Sequence, residues 1–175
     1  MTPLPFRMSD SDFTGVYDRN VARVYGFLAY AVRSRADAED LTQQTFERAM
    51  RAWARYDAAR ASVSTWLLVI ARNLLIDHLR DAGRTRVDGL DGVGLEAIPA
   101  PADRLSLGLD TELEQALGQL APRERELIAL RFGGDLTSGE IAEMTGLSAA
   151  NVQQILSRSL RRMRTSLRQP VGAPS

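Results

Sequence analysis

Residues 137–168 read TSGEIAEMTGLSAANVQQILSRSLRRMRTSLR, and their pattern indicates how the C-terminal part of the chain folds. Its first four residues have the spacing of a capping box, which opens a short helix, and Gly146 is suited to ending that helix. Ser148 is suited to capping a longer second helix, which runs from residue 149 to about residue 168. A short helix, a tight turn and a longer helix form a helix-turn-helix, whose second helix enters the major groove of DNA.

The second predicted helix has two unlike faces. The inner face consists of Val152, Leu156, Ser159, Leu160, Met163 and Leu167. The outer face carries side chains that pair with base edges, because asparagine and glutamine match adenine and arginine matches guanine. Between positions 148 and 168 there are five arginines and no acid. The pattern therefore predicts DNA contacts from Asn151, Gln153, Gln154, Ser157, Arg158 and Arg161.

Three helices are predicted nearer the N-terminus, because apolar residues recur at steps of three and four along residues 11–32, 36–54 and 62–83. Ser62 is a suitable cap for the third helix, and Gly83 is expected to end it. The three helices are expected to form a bundle. The inner face predicted for the second helix includes Met50, and the one predicted for the third helix consists of Val63, Trp66, Leu67, Ile70, Leu74 and Leu79. The centre of the bundle is predicted at three large aromatic residues, Phe46, Trp53 and Trp66.

The segment after this bundle lacks the helical period and is rich in glycine and proline, which indicates a linker. Four apolar residues within it suggest that it docks against another part of the protein: Leu90, Val93, Leu95 and Ile98.

Helical periodicity returns at residues 111–120, and Pro122 is suited to starting a further helix that ends at positions 133 and 134. No segment shows sustained two-residue alternation, so we expect no sheet. The sequence thus predicts an all-α fold of two small helical domains, residues 9–83 and 110–169, joined by a flexible linker at 84–109.

The composition narrows the classes of function. The absence of cysteine excludes disulfides and cysteine-bound metal centres and fits a reducing cytoplasm, where we expect the protein to act.

The single histidine, His78, follows Asp77 in a predicted helix, where sequence neighbours do not face each other. We therefore expect His78 to be packed against the helical bundle or the linker, and we expect no enzyme active site, metal or cofactor. No long apolar run or export signal is present, so membrane insertion is not expected.

The net charge is zero, with 22 basic and 22 acidic residues, but the charge is unevenly distributed. Residues 84–111 and 112–135 each carry a net charge of minus two, whereas residues 136–175 carry five arginines and two acids. The positive charge is therefore concentrated in the helix-turn-helix.

Four stretches together resemble one family. Residues 36–46 (ADAEDLTQQTF) and 65–80 (TWLLVIARNLLIDHLR) resemble region two of extracytoplasmic-function sigma factors. Residues 120–132 (LAPRERELIALRF) and 141–148 (IAEMTGLS) resemble region four of the same family. The two motif sets occur in the expected order with a linker between them, which is more specific than a helix-turn-helix alone.

The resemblance implies a bacterial transcription initiation factor that binds core RNA polymerase and directs it to promoter DNA. It implies contacts to the clamp helices of the largest polymerase subunit from Asp40, Gln43, Gln44 and Glu47. It also implies contacts to the melted -10 element, with one base extruded near Asn73, from Tyr56, Arg60, Ser62, Arg72, Asn73, Asp77 and Arg80. The C-terminal helix would read the -35 element as duplex, while the linker would thread through the polymerase.

Two features of the chain bear on these implications. Gln154 and Ile155 stand where the family usually has a serine-arginine pair, so the preference for the -35 sequence stays open. The sequence ends at Ser175, soon after the last predicted helix, so we expect control by a separate anti-sigma factor.

Two alternatives are compatible with parts of the sequence. A stand-alone helix-turn-helix regulator would bind DNA without polymerase, although no βαβ receiver pattern precedes residue 110. An adaptor that binds only other helical proteins would not need the C-terminal arginines. The neutral total charge favours a factor that depends on polymerase, since weak general attraction to phosphate gives weak binding to DNA alone.

Overall fold

The structure, a computed structural model, describes residues 10–88 and 111–168, with side chains from 13 to 83 and from 111 to 168. The helices are α1 (Asp10–Ala31), α2 (Arg35–Ala52), α3 (Val63–Asp88), α4 (Thr111–Gly118), α5 (Pro122–Ile128), α6 (Ser138–Thr145) and α7 (Ala149–Arg168). A 3-10 turn, Trp53–Arg55, follows α2, and a π-helical turn, Ala129–Gly133, continues α5. No strand occurs in these ranges, and the all-α prediction is confirmed.

The predicted docking of the linker stays a prediction, because its four apolar residues lie outside the described residues: Leu90, Val93, Leu95 and Ile98.

The helix starts follow the local capping signals. The hydroxyls of Ser62 and Ser148 accept hydrogen bonds from backbone N–H groups three residues ahead, at 3.1 and 3.2 Å. Thr137 and Glu140 form the predicted capping box, in which each side chain accepts a hydrogen bond from the other residue's backbone N–H. Gly146 ends α6 with a φ of 74°, a left-handed conformation that costs glycine little. These predictions are confirmed.

The prediction that Gly83 ends the third helix is wrong, because α3 continues to Asp88. Gly83 is exposed, and a Cβ added there would meet nothing within 4 Å. A glycine inside a helix costs only about 1 kcal/mol relative to alanine, so a helix can continue through it when the flanking residues favour the helix.

The core of the bundle formed by α1, α2 and α3 is not centred where the sequence pattern places it. Trp53 and Trp66 are half-buried and pack with Tyr56 in an aromatic cluster. Phe46 is buried as predicted. The largest fully buried side chains of the bundle are Phe27, Leu28, Leu67, Leu68 and Leu75.

In some helices the buried face also differs from the predicted one. Met50, Leu79 and Leu167, which the pattern places inward, are exposed by 55%, 46% and 44%. Leu68 and Leu75, outside the predicted stripe of α3, are fully buried. The reason is that α3 is covered on a second side, where the Cδ1 atom of Leu68 approaches Gly134 in the other domain.

The two domains pack directly against each other and share one continuous hydrophobic core. Helix α1 lies along the π-helical turn and also contacts α5. Arg125 is almost fully buried and donates hydrogen bonds to the carbonyls of Tyr30 and Val32 at the end of α1. Gly26 and Gly133 bring the two backbones together, because a Cβ on Gly133 would lie 2.4 Å from the Gly26 carbonyl oxygen. We call this contact the interdomain seam.

Candidate DNA- and polymerase-binding surfaces

Helix α7 is attached to its domain by one narrow face. Val152, Leu156, Ser159 and Met163 are buried, and the helix packs on α4, α5 and α6. The rest of its circumference faces outward. All six residues predicted to contact the -35 element are exposed on this outer face: Asn151, Gln153, Gln154, Ser157, Arg158 and Arg161.

The outer face of α7 carries positive charge without any acid on the helix. Arg162 is directed back to the domain, where its Nη1 atom lies 2.6 Å from Glu124 Oε2. No ion pair in the described part of the chain involves the other four arginines of the helix, which are Arg158, Arg161, Arg164 and Arg168. Their guanidinium groups are therefore available to phosphate oxygens or guanine edges.

The loop between α2 and α3 is built by two of the residues predicted to bind the -10 element. The Tyr56 hydroxyl donates to the Ala61 carbonyl at 2.9 Å, and its ring centroid lies 5.1 Å from both Trp53 and Trp66. Ser62 caps α3, as described above. Arg60 is exposed. Tyr56 and Ser62 thus support the loop, while the guanidinium group of Arg60 is exposed on it.

Helix α3 brings three of the predicted -10 residues together. Asn73, Asp77 and Arg80 are exposed on one face, and Asp77 and Arg80 are 3.7 Å apart. Arg72 lies to one side of this face and is largely buried, with its Nε atom 2.6 Å from Glu126 Oε1 in α5. A predicted DNA contact therefore has a partner in the other domain, and no local sequence signal indicates this pairing.

The four residues predicted to bind polymerase form two hydrogen-bonded pairs along α2. Gln44 Nε2 donates to Asp40 Oδ2 at 2.7 Å, and Gln43 Nε2 donates to Glu47 Oε1 at 2.9 Å. Asp40 and Gln43 are exposed, while Gln44 and Glu47 are half-buried. The result is an ordered polar stripe on the surface of the bundle.

An apolar groove of 620 Å³ borders this stripe between α1 and α2. Gln43 and Glu47 stand at its rim, and Met50 and Tyr17 are its exposed apolar residues. The helical period of α2 predicts Met50 on the inner face of the bundle, which is wrong, and for this reason the pattern does not predict the groove. The sequence does contain a signal for the exposure of Met50. Position 50 lies one helical turn after Glu47 and therefore on the same side of α2 as the polar stripe.

His78 packs against α2, as expected. Its Nε2 atom lies 3.6 Å from Asp37 Oδ2, beside a polar cavity of 350 Å³ between α2 and α3.

Across residues 10–88 and 111–168 no group of three or more metal-binding side chains occurs. None of the helices in these ranges has the length and apolar character needed to cross a membrane.

Comparison with known proteins shows that each of the two domains matches a sigma-70 region. Sigma-70 region 2 matches residues 16–85, and Sigma-70 region 4 matches residues 116–165. The ECF RNA polymerase sigma factor RpoE of Cereibacter sphaeroides is 30% identical over 156 residues, which are 89% of this chain and 86% of that protein. The ECF RNA polymerase sigma factor BldN of Streptomyces coelicolor is 32% identical over 153 residues, which are 85% of this chain and 58% of BldN.

The fold is also found in a solved structure. The sigma factor RpoE from Bartonella quintana, crystallised with the anti-sigma factor NepR, matches with a TM-score of 0.72 and 25% identity. The match covers 91% of this chain and 99% of that chain. Since both regions match and a relative that is 30% identical is matched over 86% of its length, the chain belongs to the extracytoplasmic-function sigma factors of the sigma-70 family.

Proposed function

We propose that this sigma factor binds core RNA polymerase through α2 and directs it to promoters by contacting the -35 and -10 elements with its two domains. The observation that carries the proposal is the outer face of α7, where exposed arginines without ion-pair partners in the described chain stand beside exposed amides. We retain the predicted domain limits of 9–83 and 110–169, with the linker at 84–109.

The -35 element is read by α7 in the major groove. Asn151, Gln153 and Gln154 near its start are placed for base edges, because the N-terminal part of a recognition helix faces the bases. Ser157, Arg158 and Arg161 follow along the same outer face and are suited to guanine or phosphate. Ile155 is only half-exposed and adds apolar contact at the edge of this face.

The -10 element is received as a melted strand by the loop after α2 and the exposed face of α3. Arg60 and Arg80 offer positive charge to the backbone, while Asn73 offers donors and acceptors to an unstacked base. Extruding a base costs a few kcal/mol of stacking, so contacts near Asn73 must return that energy. Tyr56 and Ser62 act by holding the loop in place.

The polymerase contact combines the polar stripe with the neighbouring apolar groove. Asp40, Gln43, Gln44 and Glu47 supply hydrogen bonds at the rim of an interface. Met50 supplies an exposed apolar side chain beside them, and such contacts carry much of the affinity of a protein interface.

Control by a separate anti-sigma factor is supported by the Bartonella quintana sigma factor, which was crystallised with one. We infer that an anti-sigma protein binds this chain as well and that the chain acts with polymerase in the cytoplasm. Copurification from the native cell tests both inferences, with polymerase subunits and one small regulatory protein expected.

Run-off transcription with purified core polymerase tests the central proposal. We expect transcripts from a panel of promoters of the native genome only when core polymerase and the sigma factor are both present. Asp40→Ala should reduce them, whereas Asp18→Ala, which removes an exposed acid of α1 outside the polar stripe and the groove, should not. Protection of DNA by the sigma factor alone, without transcripts, would instead indicate a stand-alone regulator.

A further inference from the structure

A buried asparagine links α1 to the start of α3. Asn20 in α1 is only 6% exposed. Its Nδ2 atom donates to the Val16 carbonyl of the same helix at 2.8 Å, and its Oδ1 atom accepts from the Ser64 hydroxyl at 2.6 Å. Ser64 is the second residue of α3 and is half-buried. One amide therefore bridges two helices through residues that are 44 positions apart in the sequence.

Neither helix formation nor core packing explains an asparagine at position 20. Asparagine is less favourable than alanine or leucine inside a helix. A buried amide also costs free energy unless its donor and acceptor groups find partners. Asn20 finds both, and its bond to Ser64 is one that an apolar side chain could not make. The physical reason for the asparagine is therefore the fixed position of Ser64 relative to α1.

The loop at residues 56–62 is ordered internally by its own short-range contacts. Its hydrogen bonds, including that between Asp57 Oδ1 and the Ala59 N–H at 2.9 Å, join residues at most five positions apart. Such bonds shape the loop but do not fix its position relative to the rest of the bundle. The Asn20–Ser64 bond supplies that link, because Ser64 lies two residues after the cap at Ser62.

We propose that Asn20 is a positioning residue for the -10 element, and that it acts by holding the start of α3, and with it the loop at 56–62, against α1. The inference rests on the function proposed above. Asn20 is buried, so its effect on DNA passes through Ser64. Without the bond the first turn of α3 frays more often, and the loop loses its fixed position relative to Asn73, where the extruded base is received.

Promoter opening by the holoenzyme measures this role. The promoter is one that is active in the run-off assay, and the fluorescent base 2-aminopurine replaces one adenine of the strand that melts, so that unstacking raises the fluorescence. Ser64→Ala and Asn20→Ala are each expected to slow the fluorescence rise by roughly three- to tenfold, the effect of losing one hydrogen bond. Ser64→Thr, which retains the hydroxyl, should open the promoter at the parent's rate.

Thr45→Val is the matched control for the loss of a buried hydrogen bond. Thr45 is fully buried in α2, and its hydroxyl donates to the Leu41 carbonyl of the same helix at 2.7 Å. Its loss should lower the stability measured by urea denaturation without slowing promoter opening, because this bond does not reach α3. The affinity for core polymerase should equal the parent's in every variant, which separates opening from assembly.

The double variant Asn20→Ala/Ser64→Ala tests whether the two residues act through their shared bond. If they do, the double variant opens the promoter no more slowly than the slower single variant, since the second substitution removes a bond that is already lost. Two effects that multiply would mean that the residues act independently, and this result would overturn the inference.

Two further results also overturn it. An unchanged opening rate in Ser64→Ala would do so even if Asn20→Ala failed to fold, because Ser64→Ala removes only a hydroxyl. Equal slowing in Thr45→Val would show that the general stability of the bundle sets the rate, and not the position of the loop. In each case a parent that transcribes leaves the proposed function standing, whereas a parent inactive with core polymerase overturns both.

Discussion

The arginines of this chain show how the environment of a residue decides what the residue does. Arg158 is exposed and has no ion-pair partner in the described chain, Arg162 is bound to Glu124, and Arg125 is buried against the carbonyls at the end of α1. Their chemistry is identical, yet only the first is available to a ligand. The sequence pattern separates inner from outer positions of α7 but does not show which outer arginine is bound within the domain.

Arg158→Ala is expected to weaken promoter binding by the holoenzyme and to lower its salt dependence. One lost phosphate contact reduces the slope of log affinity against log salt by about 0.9. The measurement is promoter affinity over a series of salt concentrations. Arg162→Ala is the matched control, because its guanidinium already pairs with Glu124. A slope that is unchanged in Arg158→Ala would remove this residue from the DNA interface.

At the scale of single elements, the helix-turn-helix is specified by contacts between residues close in sequence. Thr137 and Glu140 cap α6, Gly146 ends it, and Ser148 caps α7. Hydrogen bonds from the Thr137 backbone and hydroxyl hold the pKa of Glu140 below its usual value of 4.5. Because the folded state lowers this pKa, the carboxylate contributes stability above pH 4.5, and the contribution is lost as the pH falls through the folded pKa.

Glu140→Ala is therefore expected to lower the free energy of unfolding at neutral pH by about 0.5–1 kcal/mol, as for the loss of other helix caps. The difference between variant and parent should shrink as the pH falls below 4.5, where the parent carboxylate becomes protonated. Urea denaturation at neutral and acidic pH measures both effects. Glu143→Ala in the same helix lies outside the capping box and should show neither. A difference independent of pH would contradict the role of the charge.

At the scale of the whole molecule, the two domains are one packing unit. Their buried residues form a continuous core, and the end of α1 is capped by Arg125 from α5. Burial lowers the pKa of Arg125 to about 10, with the nearby Arg33 adding to the effect. The guanidinium is thus held charged at neutral pH in an unfavourable environment, and its hydrogen bonds to the carbonyls offset part of that cost.

Arg125→Met is expected to lower the free energy of unfolding by about 2 kcal/mol, because the carbonyls of Tyr30 and Val32 lose charged donors in a buried place. Methionine retains most of the apolar stem, so the loss of packing is small. Denaturation in urea measures the change. Arg33→Met is the control, since Arg33 is exposed and its hydrogen bond to the Gly118 carbonyl should contribute less than about 1 kcal/mol. Equal effects in both variants would show that burial of Arg125 is not decisive.

Features that depend on neighbours a few residues apart can be predicted from the sequence alone. The caps at Ser62, Thr137 and Ser148 and the outer face of α7 could be predicted, because capping hydrogen bonds and helical periodicity act within one or two turns. The six predicted -35 residues are exposed for the same reason, since α7 is buried on one side only.

The buried faces of α1, α3 and α5 and the contacts of their charged residues depend instead on tertiary packing. Arg72 and Glu126 are 54 positions apart, and Arg125 and Tyr30 are 95 apart. Leu68 and Leu75 are buried beyond the predicted stripe because α3 packs on more than one side, while Met50 is exposed beside the groove. No pattern within a helix encodes such pairings, because they arise from shape and charge complementarity between surfaces that meet only after the chain has folded.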